Sequence, residues 1–457
     1  MASSKKLPAS KTLSHQLKSF LVDVFKQKNL SNPKLVVAFS GGLDSAVLLH
    51  LLVESQKTLP FQLQAQHVHH GLSANADAWV EFCADVCNKL NIPLTVSKVK
   101  VNKNSGIGTE AAAREARYKA LLTTEADFIC LAHHQDDQAE TLLLQLARGA
   151  GVKGLAGMPV TSNKLLRPLL DEPRSRLEDY AEQHKLTWIE DESNFDTKFD
   201  RNFLRHEILP KLEKQYPAIK QTISRAARHM AEADNLLDEL AEIDVRSCQL
   251  NQEDSKQIAL KPLAALSAAR INNTLRWWLL QNGCDMPSTA QLQQITQQLL
   301  YAKNDANIKI NVSANHTLRR FQSRAYLVKN VQIAMTNHQR STFNLSWHGE
   351  PAIILPDQSR LVFSEKIGAG MAKRHIEKAQ LLIRYREGGE TIKPAENRPS
   401  RSLKSIFQTS GIPPWERERL PLLYLNSDLV ILPEIAVDAR FRAAADEPGL
   451  VVNWQDG

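Results

Sequence analysis

A chain of 457 residues has room for about three domains of ~150 residues each, and 43% hydrophobic with 23% charged residues excludes a disordered polymer. Lys plus Arg exceed Asp plus Glu by 57 − 50 = +7 and the pI is near 9.0, a balance that favours a polyanionic partner. No run reaches the roughly 18 to 20 apolar residues of a membrane span, and the five cysteines, at 83, 87, 130, 248 and 284, form neither a disulfide framework nor a C-x-x-C metal motif. The expectation is a cytoplasmic protein with buried thiols, no membrane association, and a short, basic, disordered tail over residues 1–20.

In chain order, KLVVAF from Lys34 is a β-branched run, followed by a helix over Ser45 to Glu54. FQLQAQHVHH, a helix over Ala78 to Asn91, PLTVSKVKV, a helix over Thr109 to Thr123, DFICLAHH and a helix over Asp136 to Arg148 continue the alternation. Strands separated by helices predict an α/β domain with a doubly wound, mostly parallel, Rossmann-like sheet, its ligand beyond the carboxyl ends of the strands. From Pro217 to Val245 apolar residues recur every three to four positions, as in one long amphipathic connector. A helical block follows, in which Gly283 closes one helix and Ser288 or Thr289 caps the next. After Asn307 short extended runs dominate, and a last unit opens at LLIRYREGGE. The domains expected are thus 21–216 with the nucleotide site, a linker over 217–245, a helical domain over 246–330 and a smaller mixed α/β domain over 331–457.

The sharpest motif is Ser40-Gly41-Gly42-Leu43-Asp44-Ser45 between the first strand and its helix. Two glycines let backbone N–H groups turn inward as an anion nest, and the helix adds its positive dipole end. Neither the ATPase P-loop nor the G-x-G-x-x-G fingerprint is present. The competing reading is an ordinary Gly-rich turn.

SGGLDS resembles the pyrophosphate loop of the N-type ATP pyrophosphatases, the PP-loop superfamily. HVHHGL at 67–72, EAAAREARY at 110–118, AHHQDDQAET at 132–141, RPLL at 167–170, RNFLRHEILPKL at 201–212 and LKSIFQTSGIPPWERERLPLLY at 403–424 are together similar to the tRNA(Ile)-lysidine synthetase family. One departure is Ser73, where the family usually has Arg after HGL. The resemblance implies ATP-dependent ligation of L-lysine to C2 of the wobble cytidine in the CAU anticodon of tRNA(Ile), through an adenylated cytidine. Its demands are to cradle a triphosphate, hold a cationic amino acid and grip an exposed base. Whether the chain forms a homodimer is left open.

On that resemblance ATP falls to Ser40, Gly41, Gly42, Leu43, Asp44 and Ser45, with Asp44 on Mg²⁺ and His67 and His69 beside the adenosine. Lysine falls to His133, Asp136, Asp137 and Glu140, because an ammonium needs anions and must lose a proton before attack. Arg114, Arg117, Arg201 and Arg205 offer guanidinium forks for phosphate or carboxylate. The family positions single out Arg114 and Arg205, which join Asp44 and Asp137 as the catalytic set. Asn194 and Asp196 either orient Arg201 or form a turn. For tRNA the candidates are Arg270, Arg276, Arg384, Arg386, Arg398, Arg401 and Lys404, over the domains at 246–330 and 331–457. Trp277, Trp278 and Phe407 are expected in cores. A tRNA thiolase, a small-molecule amidating ligase and a non-catalytic tRNA-binding nucleotide sensor are the alternatives.

Overall fold

The computed structural model describes residues 12–73, 75–102, 108–249, 255–303, 306, 308–330, 343–376 and 379–455. The chain forms two compact units, Met1–Leu237 and Asp238–Gly457. Of the tail expected over 1–20, residues 1–11 lie outside the described residues; from Leu13 the chain is helical.

The first unit runs α1 (Leu13–Gln27), β1 (Lys34–Ala38), α2 (Leu43–Gln56), β2 (Gln62–His69), α3 (Ala76–Lys89), β3 (Leu94–Lys98), α4 (Thr109–Leu122), β4 (Phe128–Cys130) and α5 (Gln135–Ala147). It continues with α6 (Val152–Leu155), β5 (Thr161–Ser162), β6 (Leu165–Leu166), α7 (Arg174–Gln183), α8 (Asp200–Phe203), α9 (Leu209–Gln215) and α10 (Ile219–Cys248). The sheet order is β3-β2-β1-β4-β6-β5, parallel except for the β5–β6 hairpin. Leu35, Val36 and Val37 are wholly buried, as a strand covered on both faces requires. Helix α2 is apolar almost all round, and Ala46 to Leu49, Leu51 and Leu52 join the core that α1 completes with Leu13, Leu17, Leu21 and Val24 at spacings of three to four residues. All five cysteines are free and buried.

The expected linker is part of both units. Ile219, Ile223 and Ala227 at the start of α10 pack with Ala139 and Leu142 of α5, whereas Val245 and Cys248 at its end belong to the core of the second unit.

The second unit opens with β7 (Gln257–Ala259), α11 (Leu260–Ala264), α12 (Ala268–Gln281), α13 (Thr289–Thr296), β8 (Lys309–Asn311), β9 (His316–Phe321) and β10 (Arg324–Lys329). Gly283 takes φ 75° behind α12, and Ser288 with Gln291 forms a capping box on α13. The region over 246–330 is therefore helices on a four-stranded antiparallel sheet, β7-β10-β9-β8, rather than helical throughout. Beyond it lie a five-stranded sheet built on Leu381–Arg384, Leu422–Leu425 and Asp428–Leu432, and a four-stranded sheet built on Arg360–Ile367 and Pro448–Gln455.

Asp244, near the end of α10, is only 1% exposed. Arg270 of α12 grips both its carboxylate oxygens, and Thr274 donates to one of them at 3.4 Å. A buried carboxylate stripped of its cation is costly. Arg270→Ala is expected to lower the thermal midpoint of the protein, and Arg270→Ala with Asp244→Asn to recover part of the loss, both read by calorimetry; equal midpoints for the two variants would remove this pair from the account of stability.

Candidate active site

Strands β1 and β4 pair in parallel, with Leu35 opposite Phe128 and Val37 opposite Cys130. Strand order reverses here, so the loops leaving the carboxyl ends of both strands open into one crevice. The first loop is Ser40 to Ser45. Gly41 has φ 88°, and a Cβ there would stand 2.8 Å from the Ile189 side chain and 3.0 Å from Cys83 Sγ. Both conformation and space thus demand glycine. Gly42 begins α2 with no side-chain cap, and the first-turn N–H groups have no intrahelical acceptor. Ser45 Oγ donates to Gly42 O at 2.9 Å and lies 3.1 Å from Ser40 Oγ, which pins the bend. The arrangement presents several N–H donors and a helix dipole to an anion.

Asp44, in the first turn of α2, is one-third exposed. Its Oδ2 lies 3.6 Å from His134 Nε2, and its Oδ1 is buried with no hydrogen-bond partner among the described residues. His67 is buried, with Nδ1 3.0 Å from Phe39 O and 3.4 Å from Cys83 Sγ. Burial lowers its pKa and pushes the Cys83 thiol up to about 12. His67 therefore fixes the backbone entering the loop instead of standing at an open rim. His69 Nε2 lies 3.3 Å from the Asp77 carboxylate.

The second loop caps α5. His134 is the N-cap: its Nδ1 accepts from Asp137 N at 3.4 Å, while Asp137 Oδ2 accepts from His134 N at 3.1 Å. Asp136 accepts from Arg174 N at 3.2 Å and pairs with Lys220 Nζ at 2.7 Å. Glu140 has no exposed surface and takes a two-pronged contact from Arg205, at 2.6 and 3.0 Å, and the same guanidinium reaches Asp137 Oδ1 at 3.2 Å. Burial raises the pKa of Asp137, but His134, His133 and Arg205 overcome it and hold the carboxyl below its ordinary value. For Glu140 burial wins and the pKa rises despite Arg205. The pKa of the His133 imidazole, half-buried and facing Arg167, is pushed down to about 3, chiefly by desolvation, and its Nδ1 accepts from Arg167 Nε at 3.3 Å.

Arg114 and Arg117 project from α4 around the Tyr118 ring, at 5.0 and 5.8 Å from its centre. Burial disfavours the charge on both, which also feel Arg201 and Asp137. Arg201 reaches Thr141 Oγ1 at 3.2 Å and stands 3.9 Å from Glu140. Asp196 Oδ1 accepts from Lys198 N in a turn, and Asn194 donates its N–H to Asp191 O while its main-chain oxygen meets the His206 ring, so the turn reading holds for both. Arg114, Arg117, Arg201 and Arg205 thus act on Asp137 or Glu140, with Arg167 beside His133, leaving an excess of positive charge for an anion beside carboxylates suited to an ammonium.

Residues 10–212 match the description "PP-loop domain", 259–326 "TilS substrate binding domain" and 381–454 "TilS substrate C-terminal domain". The tRNA(Ile)-lysidine synthase of Nitrosomonas europaea is 39% identical over 92% of this chain and 92% of its own. Those of Coxiella burnetii and Serratia proteamaculans are 39% and 41% identical, over 93% and 92% of this chain and 94% and 95% of their own. The chain belongs to the tRNA(Ile)-lysidine synthase family. It is thereby an enzyme of a synthase family built on a PP-loop ATP-binding domain.

Outside that domain the basic residues of this synthase-family chain divide into engaged and free. Arg270 is drawn onto Asp244, and Arg384 and Arg386 lie over Tyr424 and Phe407 at 5.2 and 5.8 Å, Arg386 also facing Glu390 at 3.5 Å. Arg401 donates to Ser405 Oγ at 2.9 Å. Arg398 and Lys404 are exposed, and Arg276 is half-buried on α12. Trp278 and Phe407 are core residues and Trp277 packs against the core, as expected. Trp415 packs against Phe321 and Tyr326, with Arg319 over its ring at 5.2 Å. It is a wedge between the β9–β10 sheet and the C-terminal domain rather than a free stacking platform.

Sequence reading missed His134, Arg167, Arg174 and Lys220. For Arg167 the signal was the RPLL motif itself, whose arginine is 5% exposed and so needed partners; Lys220 carried none, since its partner comes from a distant segment.

Burial opposes the charge on His134, but Asp137, Asp44 and Asp136 raise its pKa to about 8; protonation puts a hydrogen on Nδ1, so the long 3.4 Å cap contact from Asp137 N belongs to the neutral ring and is given up when the ring takes its charge. A folded pKa above the unfolded 6.5 means stabilisation fully present below 6.5 and lost as pH rises through 8. The nucleotide-free protein is expected to lose about 2 kcal/mol of unfolding free energy across that window, and His134→Asn, which keeps a cap acceptor, to flatten the slope. Denaturant titrations at several pH values measure it; an unchanged slope in the variant refutes the assignment.

Proposed function

We propose that the chain ligates L-lysine to C2 of the wobble cytidine in the CAU anticodon of tRNA(Ile), with AMP and pyrophosphate as products. The observation that carries this reading is the meeting of the uncapped Ser40–Ser45 bend with the Asp137–Glu140 carboxylates in one crevice of a PP-loop domain.

ATP lies with its phosphates on the N–H groups from Gly41 to Ser45, between Ser40 and Leu43. His67 steadies the strand end beside the adenosine, and His69 flanks it. Mg²⁺ fits this place: Asp44 Oδ1 is a hard oxygen ligand with no hydrogen bond among the described residues and only Arg174 Nε beside it at 3.9 Å, and it would hold the ion together with phosphates and water. When bound, the ion offsets charge on the departing pyrophosphate. The cytidine O2 attacks the α-phosphorus as the bond to pyrophosphate breaks, and Arg114 and Arg205 face the charge that develops. Lysine is held through its ammonium at Asp137, with Asp136, Glu140 and His133 shaping the field. Asp137 takes one proton from the ammonium, the freed amine attacks C2 as the C2–O bond to AMP breaks, and the second proton passes to water as the C–N bond is completed. Asp136 is held by Lys220 at 2.7 Å and Glu140 is closed off by Arg205 with no exposed surface, whereas Asp137, although it too meets Arg205 at 3.2 Å, keeps some exposed surface toward the crevice.

The tRNA is held by phosphate contacts from Arg276, Arg384, Arg386, Arg398, Arg401 and Lys404, with Arg270 adding to the field. No helix among the described residues is long and apolar enough to cross a membrane, and a reaction consuming tRNA and ATP belongs in the cytoplasm.

Release of pyrophosphate that requires ATP, lysine and tRNA together, with labelled lysine at the first anticodon position, tests the reaction. A thiolase would ignore lysine, an amidating ligase would ignore RNA, and a sensor would release nothing. Asp44→Ala is expected to cut lysine incorporation by about 100-fold or more while tRNA binding persists; near wild-type turnover would overturn the site. Reversing charge at Arg398 and Arg401 is expected to weaken tRNA binding and shrink the slope of log K against log salt by about one for each phosphate no longer neutralised. A slope equal to wild type would move the RNA surface elsewhere.

A further inference from the structure

His134 is 1% exposed and has both nitrogens committed. Its Nδ1 caps α5, so the ring cannot turn without breaking the helix start. Its Nε2 lies 3.6 Å from Asp44 Oδ2 and 3.5 Å from Asp137 Oδ2. These two acids come from different loops and, if ionised, repel one another. Asp44 also meets Arg174 at 3.9 Å and feels the charge of Arg205, which lies 3.2 Å from Asp137; the imidazole is the group that stands within 3.6 Å of both acids. We infer that His134 is a positioning residue that ties the acid of the phosphate loop to the acid of the ammonium site, so that one buried ring sets the geometry in which nucleotide and amino acid are both received. This rests on the function proposed above and adds to it a coupling element that touches neither substrate.

The two nitrogens can be mimicked separately. Asparagine places a polar atom near Nδ1, so His134→Asn keeps the cap and loses the tie; glutamine reaches the Nε2 position and keeps a donor between the acids. The measurements are affinity for a fluorescent ATP analogue, with and without Mg²⁺, and the Michaelis constant for lysine. Losing the polar contact between the two acids weakens both about tenfold or more in His134→Asn, and His134→Gln restores both to within about threefold of wild type. Equal losses in the two variants, or an asparagine variant with wild-type affinity for nucleotide, would reduce His134 to a helix cap and overturn the inference. Asp44→Asn and Asp137→Asn run beside them: if these leave nucleotide affinity and the lysine constant unchanged, the proposed function fails, whereas losses in these two but not in His134→Asn defeat the coupling alone.

Discussion

The parallel ladder between β1 and β4 is the constraint on which the rest depends. Three residue pairs, Leu35 with Phe128 through Val37 with Cys130, put the ends of two strands side by side where the strand order reverses. The chain must leave the sheet there in opposite directions, and the gap lies between the two departing loops. One loop supplies backbone donors and the other carboxylates. Chemistry that needs an anion hole and an acid cluster within one crevice follows from the topology before any side chain is considered.

The electrostatics of that gap resolve a conflict. Burying carboxylates such as Glu140 and Asp137 raises the free energy of their charged forms. The fold answers with arginines from three separate segments, α4, the β6 turn and the helix after Asp200, so each acid is compensated and the whole retains positive charge. Lys220 on Asp136 shows that an ammonium is accepted in this environment at 2.7 Å. The same property that stabilises the apo protein is the one an amine substrate would use.

Much of this was legible in order along the chain. The Val- and Leu-rich strands, the amphipathic α10, the glycine at the end of α12 and the serine cap of α13 follow from periodicity and cap chemistry, whereas α1 lay hidden in a segment whose basic composition suggested a disordered tail. Strand order did not, because parallel pairing carries no local turn signal. Strand β9 was missed because HTLRRF has adjacent arginines and no strict alternation. In the site, residue types and loops were readable from the motifs, but their partners were not. That Asp136 would be held by Lys220, that Arg205 would grip Glu140, and that Arg270 would turn onto Asp244 depend on contacts between remote segments. Charge alone could not separate Arg270, committed to a buried acid, from the exposed Arg398.

Helix α10 has a practical meaning for anyone dissecting the molecule. It spans 30 residues, Ile219–Cys248, and the division between the compact units falls inside it, after Leu237. At 1.5 Å per residue it is a rod of about 45 Å, with Ile223 and Ala227 seated in one hydrophobic cluster and Val245 and Cys248 in another. A fragment ending at the geometric boundary would carry a severed helix with frayed carbonyls and lose the half that the other fragment needs. Truncations meant to isolate either half should overlap, each retaining the rod entire.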